Sequence, residues 1–94
     1  MATIGVLTLE IVLQNSHSLK DKRHVVKSLK DRLRAKFNVA VAEIDYQDLW
    51  QRAVVAAVTV SADPVFAEKV LQSVEEEAAA LLGSELAGAT VEWL

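Results

Sequence analysis

Residues 52–65, RAVVAAVTVSADPV, read as a strand that runs directly into a helix. Val54, Ala56, Val58 and Val60 alternate strictly, which is the two-residue period of a pleated strand over Arg52 to Ser61. Asp63-Pro64 then supplies a helix start. The carboxylate caps free N–H groups, and the proline takes the first helical position, where an N–H has no partner anyway. Downstream, Phe66, Val70, Val74 and Leu81 form the apolar side of that helix, with Val65, Lys69, Gln72 and Glu76 outward. Gly83 is placed to end it, and Ala87 to Leu94 alternates enough to make a closing strand.

Upstream of this stretch lies a hairpin loop, and before it Asn38 to Ile44 reads as another strand. Ser18 followed three residues later by Asp21 resembles a capping box, with Asp in place of Glu. It opens a helix to about Lys36 with Leu19, Val26, Leu29 and Leu33 along one side. Residues 3 to 13 are rich in Ile, Val, Leu and Thr with both alternating sets largely apolar, as in a strand covered on both faces or central in a sheet. The order is βαββαβ over residues 1–94, a single domain. Two βαβ halves with right-handed crossovers predict an α+β ferredoxin-like sandwich: a four-stranded antiparallel sheet with two helices on one face.

The composition, 52% hydrophobic and 24% charged with three Gly and one Pro, excludes disorder. With no cysteine, thiolate metal sites, disulfides and thiol nucleophiles are excluded, and a cytoplasmic setting is expected. The apolar start has no basic residue before it and contains Glu10, so it is a strand and not a leader. No other run approaches the ~18 apolar residues of a membrane span, so no membrane partner is expected.

Charge placement is the most informative feature. Of ten Lys and Arg, eight fall between Lys20 and Lys36 beside only Asp21 and Asp31, so a chain of net charge -3 carries one helix of about +6. Lys20, Arg23, Lys27, Lys30 and Arg34, spaced three, four, three and four apart, share one flank. A one-signed stripe of this kind suits a phosphate backbone, because clustered cations release counterions from nucleic acid even when the whole protein is acidic. The alternative is a solvated face whose aliphatic stems cover the core edge.

The two central strands carry no aromatic residue, which weighs against stacking of RNA bases on the sheet. If the opposite parity faces the helices, the open sheet face offers Ile4, Val6, Thr8, Ala53, Val55, Ala57 and Thr59, a small-residue, semi-apolar surface suited to a homodimer or another protein interface. The hairpin gathers Tyr46, Gln47, Asp48, Trp50 and Arg52, residue types that anchor interfaces. Against that stands a packed loop with Leu49 and Trp50 folded onto the sheet and Arg52 paired to Asp45 or Asp48.

Catalytic readings are weaker. His17 and His24 lack metal-ligand spacing, and Asp45 and Asp48 have no base placed with them, so no cofactor, metal or catalytic residue is expected. The loop Gln14 to Ser18 precedes a helix N-terminus with Lys20 and Lys22 close by, and so can hold an anion there. However, the Gly-rich loop and arginine with which acylphosphatases use that corner of such a fold are absent.

His17-Ser18-Leu19-Lys20-Asp21-Lys22-Arg23, Arg32-Leu33-Arg34 with Phe37-Asn38-Val39, and Gln47-Asp48-Leu49-Trp50-Gln51-Arg52-Ala53 together resemble the bacterial YlxP-like family, a domain of unknown function, over nearly the whole chain. The resemblance implies a ferredoxin-like fold. The family's genes often sit near those for translation initiation and ribosome maturation factors, which implies an RNA-linked role by association. It carries over no catalytic residue. Asp21 stands where Glu is usual, and Tyr46 where His is frequent. The expectation is a non-enzymatic accessory protein that touches structured RNA or a ribonucleoprotein through the stripe, with the hairpin as second contact. A homodimeric interaction module and, behind it, a small-anion-binding enzyme are the alternatives.

Overall fold

The computed structural model describes residues 1–94. The elements run β1 (Thr3–Val12), α1 (Leu19–Lys36), β2 (Ala40–Asp45), β3 (Arg52–Ser61), α2 (Pro64–Leu82), a short 3₁₀ turn at Gly83–Glu85 and β4 (Leu86–Trp93). All strand pairs are antiparallel and the sheet order is β2-β3-β1-β4, with both helices on one face: the expected ferredoxin-like sandwich.

The helix starts form as their residues dictate. Ser18 Oγ accepts from Asp21 N at 3.0 Å, and Asp21 Oδ2 accepts from His17 N at 3.0 Å, a reciprocal cap displaced one residue from the usual box. Asp63 Oδ1 accepts from Val65 N at 2.9 Å, and Pro64 opens α2. Gly83, at φ 57°, ends α2 in the left-handed region that glycine enters without steric cost.

The core lies between sheet and helices. Leu7, Leu9 and Ile11 of β1 face Ala57, Val55 and Ala53 of β3, and all six are buried beneath Val26, Leu29 and Leu33 of α1 and Leu71, Val74, Ala78 and Leu82 of α2. Gly5 belongs to this layer because the Trp93 ring lies against it. A Cβ there would meet that ring at 2.5 Å and the Leu71 side chain at 2.7 Å.

Two expectations are corrected. On β3, Ala53, Val55, Ala57 and Thr59 face the helices and are buried, so the open face carries Val54, Ala56, Val58 and Val60 beside Ile4, Val6 and Thr8. Cross-strand partners share a face, and the register pairs Ile4 with Val60 and Val6 with Val58. Thr59 is tolerated inside because its hydroxyl donates to the Asn38 carbonyl at 3.1 Å. On α2, Phe66 and Leu81 are 57% and 37% exposed, and the buried side is Ala67, Leu71, Val74, Ala78 and Leu82. The two alanines let the helix approach the sheet closely.

Candidate nucleic-acid interface

The eight cations of α1 divide by the direction in which they point: two toward α2, five along the outer flank, and Lys22 inward. Arg32 and Lys36 reach α2, where both meet Glu77, at 3.3 and 2.7 Å. The Lys36 hydrogen bond, backed by the charges of Lys36 and Arg32 and opposed by desolvation, holds the Glu77 carboxyl below its ordinary value. These two cations fasten one helix to the other.

Five others form the predicted stripe. Arg23, Lys27, Lys30 and Arg34 line one groove of about 300 Å³ between α1 and β2, with Asp31 and Glu43 in its wall; Lys20 lies exposed one turn earlier. Arg34 donates to the Val41 carbonyl at 2.7 Å, which ties the groove to the sheet-edge strand β2. Lys27 donates to Asp31 at 2.7 Å across one helical turn. That bond, with the charges of Lys27, Arg34 and Lys30 and against some desolvation, holds the Asp31 carboxyl below its ordinary value. Lys20, Arg23 and Lys30 make no ion pair within the protomer.

Lys22, expected beside the anion-holding loop before α1, is instead turned inward and ties α1 to the hairpin. Its side chain is 1% exposed, and Nζ donates to the carbonyls of Tyr46 at 2.6 Å, Gln47 at 3.2 Å and Arg52 at 3.3 Å. Those three bonds use the three ammonium hydrogens. Glu43 Oε2, at 3.0 Å, therefore meets Lys22 as a charge without accepting a hydrogen bond. The signal was present in the sequence, since Lys22 continues the Val26, Leu29, Leu33 spacing of the buried side. Glu43 touches Lys22 and lines the groove, so the groove wall is linked to the hairpin through a buried contact.

Within the hairpin Tyr46 adopts φ 59°, a conformation costing an ordinary residue ~1–2 kcal/mol. Asp45 Oδ1 accepts from its N–H at 2.8 Å, while Leu49 N and Lys22 both donate to its carbonyl. Arg52 stacks over the Tyr46 ring, 4.6 Å from its centroid, and pairs with neither Asp45 nor Asp48. Leu49 and Trp50 do not fold back: they are 47% and 52% exposed and, with Asp48, Gln51 and Arg52, border a groove of about 580 Å³. Gln47 is exposed beside them. Trp50→Ala is accordingly expected to cost well under the ~3–5 kcal/mol of a buried aromatic, as read by urea denaturation.

His17 and His24 are both exposed, and the loop before α1 is filled from within: Gln51 Nε2 donates to the carbonyls of Gln14 and Ser16, both at 3.3 Å.

The model of the DUF503 family, described as proteins of unknown function, matches residues 4–90. The chain belongs to the DUF503 family. A relative within reach is the uncharacterized protein YlxP of Bacillus subtilis (strain 168), 44% identical over 71 residues, which are 76% of this chain and 77% of that one. Among solved structures, the DUF503 chain is similar to a putative antibiotic biosynthesis monooxygenase from Caulobacter crescentus CB15, at TM-score 0.59 and 18% identity, covering 99% of this chain and 88% of that one. It is also similar to the de novo designed protein LFR1 1 with ferredoxin fold, at TM-score 0.50 and 15% identity, covering 100% and 84%. At such identities the likeness is one of fold alone. No helix of the DUF503 chain is long and apolar enough to cross a membrane.

Proposed function

We propose that this DUF503 domain is a non-enzymatic accessory protein that binds the phosphate backbone of structured RNA, free or within a ribonucleoprotein, along its α1–β2 edge. The observation that carries the reading is the shared groove of Arg23, Lys27, Lys30 and Arg34, continued by Lys20. From Lys20 to Arg34 the stripe extends ~21 Å along the helix, long enough to meet several phosphates. The hairpin tip adds Trp50 and Tyr46-stacked Arg52 beside it, groups that take up an unpaired base by stacking. Strands β1 and β3 hold no aromatic residue, so recognition by backbone shape is favoured over base readout on the sheet. The gene neighbourhood common in the family points to translation or ribosome maturation as the setting.

Titrating a structured RNA with the protein between ~50 and ~200 mM salt tests this. Each neutralised phosphate contributes about -0.7 to -0.9 to the logarithmic slope, so engagement of all five stripe cations gives roughly -3.5 to -4.5. A slope near zero, or no binding at the lowest salt, overturns the reading.

A further inference from the structure

The sheet has two outer edges, and they are not alike. On β2 the bulge between Glu43 and Asp45 breaks the edge, and Arg34 of α1 already takes the Val41 carbonyl at 2.7 Å. Bulges and covering side chains of this kind keep an edge from pairing with another chain. On β4 the bonds to β1 tell which backbone groups are free. Leu94 N donates to Ile4 O at 2.9 Å, so those two residues form a bonded pair. Bonded and unbonded pairs alternate along an antiparallel ladder, and the register sets Trp93 against Gly5, Val91 against Leu7 and Ala89 against Leu9. The N–H and C=O groups of Ala89, Val91 and Trp93 therefore point away from β1, and no turn or loop backbone takes them. The strand holds no proline, lysine or arginine to blunt this edge, and its register is unbroken from Gly88 to Trp93.

The same residues send their side chains to the helix side of the sheet, as their partners Leu7 and Leu9 do. There Val91 and Trp93, 43% and 46% exposed, form a groove of about 370 Å³ with Glu68, Leu71, Gln72 and Glu75 of α2. Neither Glu68 nor Glu75 has an ion-pair partner. Lys69, the one cation of α2, stands about 100° round the helix from Glu68 and does not line the groove. Glu92, opposite Val6, belongs to the other face of β4.

We propose that the β4 edge takes up an extended segment of another protein as a fifth strand, one with lysine or arginine at alternating positions. Its backbone pairs with Ala89, Val91 and Trp93, ~4.8 Å outside β4, and every second side chain enters the α2–β4 groove. Glu68 lies beside Trp93 and Glu75 beside Val91, so the two carboxylates follow the course of the added strand. They stand two helical turns apart, ~10.5 Å along α2, and successive helix-side residues of a strand are ~6.8 Å apart. Two or three cations in that spacing meet both carboxylates, with their aliphatic stems laid over Val91 and Trp93. A second copy of this chain does not fit. Neither of its edge strands, β2 or β4, contains a lysine or arginine, and pairing β4 with β4 would bring the acidic flanks of two α2 helices toward each other. The carboxylates also keep phosphate away, so the proposal is independent of the RNA reading.

Fluorescence anisotropy with a labelled ten-residue peptide of alternating lysine and threonine tests the proposal, with circular dichroism to confirm that each variant folds. Binding is expected with a dissociation constant on the order of 100 μM. Glu68→Lys combined with Glu75→Lys should weaken it at least about tenfold by turning attraction into repulsion. Val91→Pro removes an outward N–H and spares the ladder to β1, the one setting in which a strand tolerates proline, and should weaken binding by a similar factor. The same peptide N-methylated at its lysine backbone amides, which would face β4, should not bind. Failure of the unmodified peptide to bind at ~1 mM overturns the proposal. Equal binding by the N-methylated peptide overturns strand addition, whether or not Val91→Pro folds, and equal binding by an alternating glutamate and threonine peptide overturns the basic partner.

Discussion

Lys22→Met is expected to lower the unfolding free energy by about 3–5 kcal/mol, the loss found when one partner of a buried ion pair is removed. Methionine keeps the length of the stem and its packing among the residues around Val26, so the substitution isolates the ammonium. Without it, three hairpin carbonyls lose their donor and Glu43, whose side chain is only 16% exposed, keeps an uncompensated charge. Its residual exposure lets water share that charge and sets the expectation toward the lower end. Adding Glu43→Gln should recover part of the loss, because the orphaned carboxylate is then gone. Lys22→Arg should not rescue, since a planar fork does not match three carbonyls arranged about a single point. Urea denaturation of the parent and the three variants measures these differences, and a loss under ~1 kcal/mol for Lys22→Met would contradict the buried anchor.

Why an ammonium is used at this place follows from the hairpin's own chemistry. Tyr46 and Gln47 lie where the chain has left the β2–β3 ladder, so their carbonyls have no strand partner, and Tyr46 is in the left-handed region as well. Several acceptors converge where the Leu49 N–H alone is at hand, for the Tyr46 carbonyl. A lysine from the neighbouring helix supplies three hydrogens at one point, and it fixes the hairpin against α1, the helix that carries the stripe.

The element order was legible because each segment keeps one period. The β-branched run of residues 54 to 60 and the three-and-four spacing of Val26, Leu29 and Leu33 give the element types, and the caps at Ser18, Asp63 and Gly83 mark helix ends to within a residue. Strand β2 begins later than its apolar residues suggest, at Ala40, because Asn38 and Val39 are taken up in the turn after Phe37. The face of β3 was not legible. Both of its alternating sets are apolar, and Thr59, whose hydroxyl suggests solvent, is buried on the Asn38 carbonyl. Only the register with β1 decides it. On α2 the large Phe66 drew the apolar side one residue away from the small Ala67 and Ala78, which are the ones that touch the sheet. The stripe itself was legible, since charge and helical spacing suffice for it; what the sequence concealed was that Lys22, in the midst of those cations, is turned inward and serves the hairpin.

The second large effect concerns the stripe. Lys27→Glu with Lys30→Glu replaces two adjacent cations of the groove by carboxylates, next to Asp31, which then loses its Lys27 partner. Two phosphate contacts are removed and like-charge repulsion is added, so binding of structured RNA should vanish at ~150 mM salt and the salt slope should shrink by about two. Because both side chains lie at the surface, the fold should be retained to within roughly 1 kcal/mol, about 0.5 for each substitution. Lys36 is unsuitable as a control, since a carboxylate there would face Glu77. Lys69, exposed on α2 and free of any ion pair, changes the net charge without touching the groove.

The most direct measurement is therefore fluorescence anisotropy of a labelled structured RNA at ~150 mM salt, comparing the parent with the Lys27→Glu, Lys30→Glu double variant and with a Lys69→Glu control that also lowers the net charge but lies outside the groove. Recognition by the α1–β2 groove predicts parent-like binding for the control and none for the double variant; equal binding by parent and double variant, or an equal loss in the control, contradicts it.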